Sequence, residues 1–255
     1  MSQPLERFGE LNSMMIWAEK EAKEETITRE EADTWSLRSH QKAIAAMDSG
    51  RFAEEIVPGP LTQSKGNQVI FERDETPRPD TTLEGLAKLR SIYPDGVCTA
   101  GNSSTENDGA AAVVLMSEQK AKDLGVEPLA YFRSIAIAGS DLTRTYPAVP
   151  DSVSKALKKA DITIDQVDLV EIQEAFAVQA LADARMMGIK QDDYDTKINV
   201  NGSGISLGHP IAATGAMRLV TLLHEMKRCG SQFGLETICG GGGQGIAAVV
   251  ERGGF

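Results

Sequence analysis

The sequence is short of cysteine, short of basic charge and without a long apolar run, and each shortage removes a class of protein. Cysteine occurs three times in 255 residues, at Cys98, Cys229 and Cys239. An odd, scattered set with no metal-ligand spacing builds neither a disulfide framework nor a metal site. A reducing compartment, the cytoplasm, is expected, with no metal. Lys and Arg total 26 against 37 Asp and Glu, a formal net charge of −11. Phosphate backbones need a basic face, so nucleic acid is not expected as a partner. A few local cations could still hold one phosphorylated small ligand. No stretch of about 18 apolar residues occurs, so no membrane segment is expected. The opening "MSQPLERFGELNSMM" is too polar for a secretory leader.

What is present is globular: 41% apolar and 25% charged residues, enough for one large core or two modest ones. Before about Cys98 the chain is irregular. "TITREEADTWSLRSHQKAIAAMDSG" predicts one helix, with Thr28 as cap, Glu31 as capping-box partner and Gly50 as stop. A proline-containing arm follows with no core of its own, so it must lean on something else. After residue 108 strands and helices alternate. "GAAAVVLMS", "LAYFRSIAIAG", "VDLVEI", "KINVN", "FGLETICG" and "GIAAVVE" are predicted strands, the last two antiparallel. "SEQKAKDLG", "PDSVSKALKKA", "AFAVQALADARMMG" and "HPIAATGAMRLVTLLHEMKRCG" are predicted helices, the last the longest. The alternation predicts an α/β layered architecture.

Three polar loops follow strands in this region: 171–177, 199–215 and the stretch around Cys239. In α/β sheets such loops converge at strand ends. His209 lies between Gly208 and Pro210. It is either a helix-start histidine tied to nearby backbone or a functional imidazole approached through glycine. Cys239 is either a small buried strand residue or a thiol beside amides that favour an anion. Glu174 suits a helix start or the site itself. His40, His224 and Cys229 fit structural roles. "GGGGQG" lacks the spacing and following helix of a dinucleotide loop.

Taken together, "QEAFA", "GISLGHPIAATGA", "CGGGGQG" and "TAGNSSTENDGAAAVVLMSE" resemble motifs of the thiolase family. "EEADTWSLRSHQKA" and "DETPRPDTTLEGLAKLR" resemble its loop domain. The resemblance runs from about residue 14 to the end. It implies a thiolase-like layered α/β fold: a partial loop domain on the CoA side over residues 1–108, and a C-terminal core half, a mixed sheet flanked by helices, over 109–255.

The resemblance also implies chemistry. Thiolases cleave 3-ketoacyl-CoA with CoA, or run the reverse Claisen condensation, using CoA thioesters as substrates and no permanently bound cofactor. One cysteine is acylated. Cys239 matches the second cysteine, which moves a proton to and from the acetyl α-carbon. His209 matches the histidine that activates the nucleophile and binds a thioester oxygen, and Gly241 supplies an oxyanion-hole amide. Gln173 stands where the family has an asparagine that orders an oxyanion water; its amide can hold a water one methylene further out. Ser104 and Arg78 match CoA contacts, Tyr93 falls near the adenine region, and Ala175 and Phe176 match the pantetheine wall. "GSDLTRTYPAVP" departs from the family pattern where acyl specificity is set.

Cys98 precedes "TAGN" and does not match the acylated cysteine, which the family carries in an N-terminal half ahead of this region. The expectation is therefore a thiolase C-terminal half working with a partner that supplies the nucleophile, within a higher oligomer. The alternative is a non-catalytic thiolase-like CoA-binding or scaffold protein.

Overall fold

The structure is a computed structural model that describes residues 13–63, 66–140 and 147–253. The segment 141–146, within the stretch that departs from the family pattern, lies outside the described residues. The arm opens with α1 (Met14–Glu24) and α2 (Arg29–Asp48). Thr28 caps α2 as its spacing predicts: its hydroxyl accepts from the Glu31 amide at 3.2 Å, and the Glu31 carboxylate accepts from the Thr28 amide at 2.8 Å. Gly50, at φ 77°, turns the chain after it. A two-stranded ribbon follows, β1 (Gly59–Thr62) and β2 (Gln68–Phe71), then the short α3 (Leu83–Ala87).

The second region contains α4 (Glu118–Leu124), β3 (Tyr131–Gly139), α5 (Ala148–Ala160), β4 (Leu169–Ile172) and α6 (Ala177–Met186). It continues with α7 (Tyr194–Lys197), α8 (Gly204–Leu207), α9 (Thr214–Cys229), β5 (Phe233–Gly241) and β6 (Gln244–Glu251). The sheet order is β3-β6-β5-β4. β4 and β5 are parallel and the other pairs antiparallel, so the sheet is mixed.

Strand alternation sends neighbouring residues to opposite faces. Leu235 and Val249 join α5 and α6 in the main core, while Gly234 and Val250 meet α9 on the other face. A Cβ at Gly234 would sit 2.4 Å from Met226 Sδ, so glycine lets α9 approach the sheet closely. Helices therefore flank the sheet on both sides. The arm leans on this unit: Ile27, Trp35 and Cys98 share the main core with Val178 and Leu181 of α6.

Three sequence expectations are corrected. "GAAAVVLMS" is not a strand but an irregular segment, with Val114 at 84% and Leu115 at 69% exposure. It has no partner strand among the described residues, and a lone strand cannot satisfy its backbone. "KINVN" makes only isolated bridges, Val170 with Ile198 and Val200 with Gly202. Asn199, at φ 47°, breaks its extension, and its side chain bonds the Ile172 backbone instead. The predicted helix at His209 begins only at Thr214, because the His209 amide donates out of the helix to Thr105 O at 3.0 Å. With 16 residues α9 is shorter than α2, which has 20.

Candidate functional site

Parallel pairing of β4 with β5 sets Ile172 opposite Thr237, and the Gln173 amide continues the ladder to Thr237 O at 3.1 Å. Gln173 and Cys239 thus sit at the carboxyl ends of neighbouring parallel strands, where α/β sheets gather their sites. The Gln173 side chain is fully buried. Its Oε1 accepts from Arg218 Nε at 3.3 Å. Its Nε2 lies against Gly204, where a Cβ would come within 2.2 Å. That contact brings the loop carrying His209 onto the end of β4.

His209 is half-buried. The Thr214 hydroxyl lies 2.8 Å from its Nδ1, which leaves Nε2 as the ring's other polar edge. Burial, and then the Arg218 charge, hold the imidazole pKa below its usual value. The ring is neutral at neutral pH and can accept a proton. The backbone of its loop is held by the segment 103–107: besides the Thr105 bond, Asn107 Oδ1 lies 3.4 Å from the His209 amide. Ser104 N donates to Ala175 O at 2.9 Å, joining the same segment to the β4–α6 loop.

Glu174 is fully buried and accepts four hydrogen bonds. They come from Trp35 Nε1 at 2.9 Å, Ser39 Oγ at 2.6 Å, Asn199 Nδ2 at 2.9 Å and Ile205 N at 3.2 Å. Glu174 ties α2, the turn after α7 and α8 to the end of β4.

Cys239 pairs with Gly245 across the β5–β6 hairpin. Gly241, Gly242 and Gly243 follow at φ 69°, 58° and 78°, a backbone that side-chain-bearing residues rarely adopt. A Cβ at Gly245 would lie 2.3 Å from Ala148 O. The glycines therefore serve a left-handed turn and a close approach to α5. Burial, then the nearby Asp183 carboxyl, push the Cys239 thiol up to about 12, against a smaller opposing effect of the Gly241 amide. The resting group is a thiol. Cys98 is buried and also pushed up, first by burial and then by Glu19, which accepts the Val97 and Cys98 amides at 2.8 Å each. Cys229 Sγ donates to Glu225 O at 3.0 Å at the end of α9. Cys98 is thus held in the core, and Cys229 at a helix end.

On the arm side, Arg78 is exposed and its amide donates to His40 Nδ1 at 3.2 Å. The two residues line an open cleft of about 240 Å³ with Leu37, Ile44 and Thr81. A second, narrower cleft runs from Arg78 past Ser103 and Thr105 to Ile205; Ala175 and Phe176 are half-buried, and Phe176 bridges Ser103 through the backbone. Tyr93 lies apart from both clefts, its hydroxyl 3.2 Å from Ser13 Oγ. No group of three or more His, Cys, Asp or Glu suited to a metal occurs among the described residues.

Sequence reading missed Thr214, Asn107 and Arg218. Thr214 stands five residues after His209, and the loop-to-helix geometry that turns it back onto the ring has no signature in residue types. Arg218 had one: an arginine amid the apolar residues of a helix that packs on the sheet.

The thiolase N-terminal domain model matches residues 2–119, and the thiolase C-terminal domain model matches 126–252. The chain thus carries matches to both, where the sequence reading expected the loop domain and the C-terminal half alone. It is 49% identical over 240 residues to the acetyl-CoA acetyltransferase of Chromobacterium violaceum, covering 94% of this chain and 60% of that protein. It is 48% identical over 241 residues to that of Pseudomonas aeruginosa, with the same coverage. The fold superposes on the crystal structure of the Bacillus anthracis acetyl-CoA acetyltransferase with a TM-score of 0.89 at 43% identity, covering 93% of this chain and 59% of that one. Against human mitochondrial 3-ketoacyl-CoA thiolase the TM-score is 0.85 at 36% identity, covering 96% and 63%. The chain spans about three fifths of the length of the curated relatives it matches. With these matches and the shared arrangement of sheet and flanking helices, the chain belongs to the thiolase family.

Proposed function

We propose that the chain provides the CoA side and the proton-transfer residues of an acetyl-CoA acetyltransferase, acting in reversible Claisen condensation and thiolysis of 3-ketoacyl-CoA. What supports this reading is the placement of Gln173 and Cys239 at the ends of neighbouring strands, with the loop that carries His209 packed onto Gln173 at Gly204. In thiolysis Cys239 gives its proton to the departing acetyl α-carbon; in condensation the thiolate form removes one. Burial favours the thiol form, so Cys239 holds the proton that thiolysis needs. His209 takes the proton of the acyl-accepting thiol through Nε2 while Thr214 holds Nδ1. The Gly241 amide and Gln173 face developing oxyanions. Arg78, exposed at the cleft, suits a CoA phosphate, and Ser104, Ala175 and Phe176 suit the pantetheine arm. Tyr93 belongs to the outer, adenine end of this reading.

The acyl-accepting cysteine comes from outside these 255 residues. The state of Cys98 and Cys229 supports that: one is buried and protonated, the other bonded at a helix end. The reading thus includes a partner that supplies the nucleophile, and assembly into a higher oligomer. The test is thiolysis of acetoacetyl-CoA by the purified chain, alone and co-expressed with the part of an acetyl-CoA acetyltransferase that lies outside the match. We expect no turnover alone and turnover together. Full turnover by the chain alone would overturn the split-site reading. CoA binding with no turnover in either case would favour a non-catalytic scaffold.

A further inference from the structure

Arg218 is a cation with 2% exposure, set in the second turn of α9. Among the described residues no carboxylate lies within ion-pair distance of it. Burying a guanidinium is costly unless its donors are used. It spends them on two acceptors, both in the candidate site. Nε donates to Gln173 Oε1 at 3.3 Å, and a terminal nitrogen donates to Gly208 O at 3.1 Å. The Gly208 carbonyl and the His209 amide belong to one peptide unit. Arg218 holds its oxygen, and Thr105 O accepts from its N–H at 3.0 Å. The peptide leading into the imidazole is therefore fixed at both ends.

The contact with Gln173 has a directional consequence. A guanidinium only donates, so it orders the carboxamide with oxygen inward. The NH2 must then face the other way, over Gly204. It is fully buried and no group among the described residues accepts from it. An unpaired buried donor at the end of β4, against the loop that leads to His209, suits an oxygen that gains negative charge.

We propose that Arg218 is a positioning residue for the reaction: it presents the Gln173 NH2 to the thioester oxygen or its bound water, and it pins the peptide that aims His209. The proposal rests on the functional reading above. The charged groups that face Arg218 are Glu171 of β4, Glu236 of β5, and Glu55 and Asp74 of the arm, and His209 lies within reach of its charge. Glu171 and Glu236 are held above the usual carboxylate range by burial, which leaves much of the guanidinium charge directed at the site.

The test is a double-mutant cycle in the assembled enzyme together with a titration of His209. Arg218→Met should lower kcat by about 10- to 100-fold, the scale of a misdirected oxyanion donor, with KM changed less than about 2-fold. In a Gln173→Ala background the same change should cost less, since one of its two targets is gone and only its hold on the Gly208–His209 peptide remains. Arg218→Lys keeps the charge but loses the fork, and should recover part of the rate. It carries the cycle if the Met variant does not fold. In the chain itself, Arg218→Met should raise the His209 pKa, read by NMR of labelled imidazole, while Arg218→Lys should leave it nearer the wild-type value. Independent, multiplying losses for Arg218 and Gln173, or an unmoved His209 titration, would overturn the proposal. A wild-type assembly without turnover, but with the His209 shift present, would count against the functional reading and leave the action of Arg218 on His209 standing.

Discussion

His209 shows how a few contacts set a side chain's chemistry. Thr214 takes one ring nitrogen at 2.8 Å, and burial with Arg218 keeps the ring neutral. Replacing His209 by Ala should impair both acylation and condensation in the assembled enzyme, by about 100-fold or more, the upper range of general acid–base catalysis. Trapped acyl-enzyme from labelled acetyl-CoA reads the first effect and product formation the second. Wild-type acylation in His209→Ala would make the imidazole structural. The pH dependence has a definite sign. The folded pKa lies below 6.5, so the active neutral form persists through pH 6.5 and is lost only at lower pH. An acid limb in kcat/KM centred above 6.5 would contradict this.

Among the elements, the end of β4 organises the site, and Glu174 joins it to α2, Asn199 and α8. Replacing Glu174 by Ala strips four donors of their acceptor, three of them on the side chains of Trp35, Ser39 and Asn199. Leaving buried donors unpaired costs about 1–3 kcal/mol each. We expect a loss of about 3 kcal/mol or more in urea unfolding, against less than about 1 kcal/mol for an exposed site such as Glu127→Ala. Equal effects at the two positions would contradict the role given to Glu174. Most elements were legible in the residues. Thr28 and Glu31 announce α2, Gly125 ends α4, and alternating burial marks β3 and β6. Strands whose existence depends on a neighbour were not. Residues 109–116 have strand composition but no partner, and 197–201 lose their ladder to the Asn199 side chain. The positions of Cys239 and Gln173 at strand ends follow from the motif and the α/β alternation. The dependence of the His209 loop on Thr105 and Arg218 is long-range, at separations that no local pattern encodes.

At the scale of the whole molecule, one face of the sheet is only half covered by the described residues. α9 lies over β4 and β5, while Phe132, Ile135 and Ile137 of β3 remain 40%, 49% and 67% exposed on the edge strand. With Val114 and Leu115 they leave apolar surface of the kind that marks an interface. Sedimentation should find the chain self-associated or, with its partner, in a defined complex; a stable monomer with no apolar patch would contradict the partnership. The fold also stores protons. Burial raises Glu236 to about 8 and Glu55 to about 7 from 4.5. Their folded pKa values exceed the unfolded ones, so their contribution is full below about pH 4.5 and is lost as pH rises toward 7 and 8. Buried His209 acts oppositely below 6.5. Above 6.5 the carboxyls dominate, and Glu236→Gln should flatten the loss of thermal stability between pH 6.5 and 8. An unchanged slope would show that Glu236 is ionised in the folded chain.

The central claim is that Cys239 moves the proton at the acetyl α-carbon, and solvent exchange measures that step directly. In the assembled enzyme, acetyl-CoA in D2O should gain deuterium in its methyl group. Replacing Cys239 by Ser keeps size and hydrogen bonding but removes the ionisable thiol, and should lower exchange by about 100-fold or more. Acylation of the partner's cysteine, which depends on His209, should persist. Deuterium incorporation at the wild-type rate in Cys239→Ser would contradict the account.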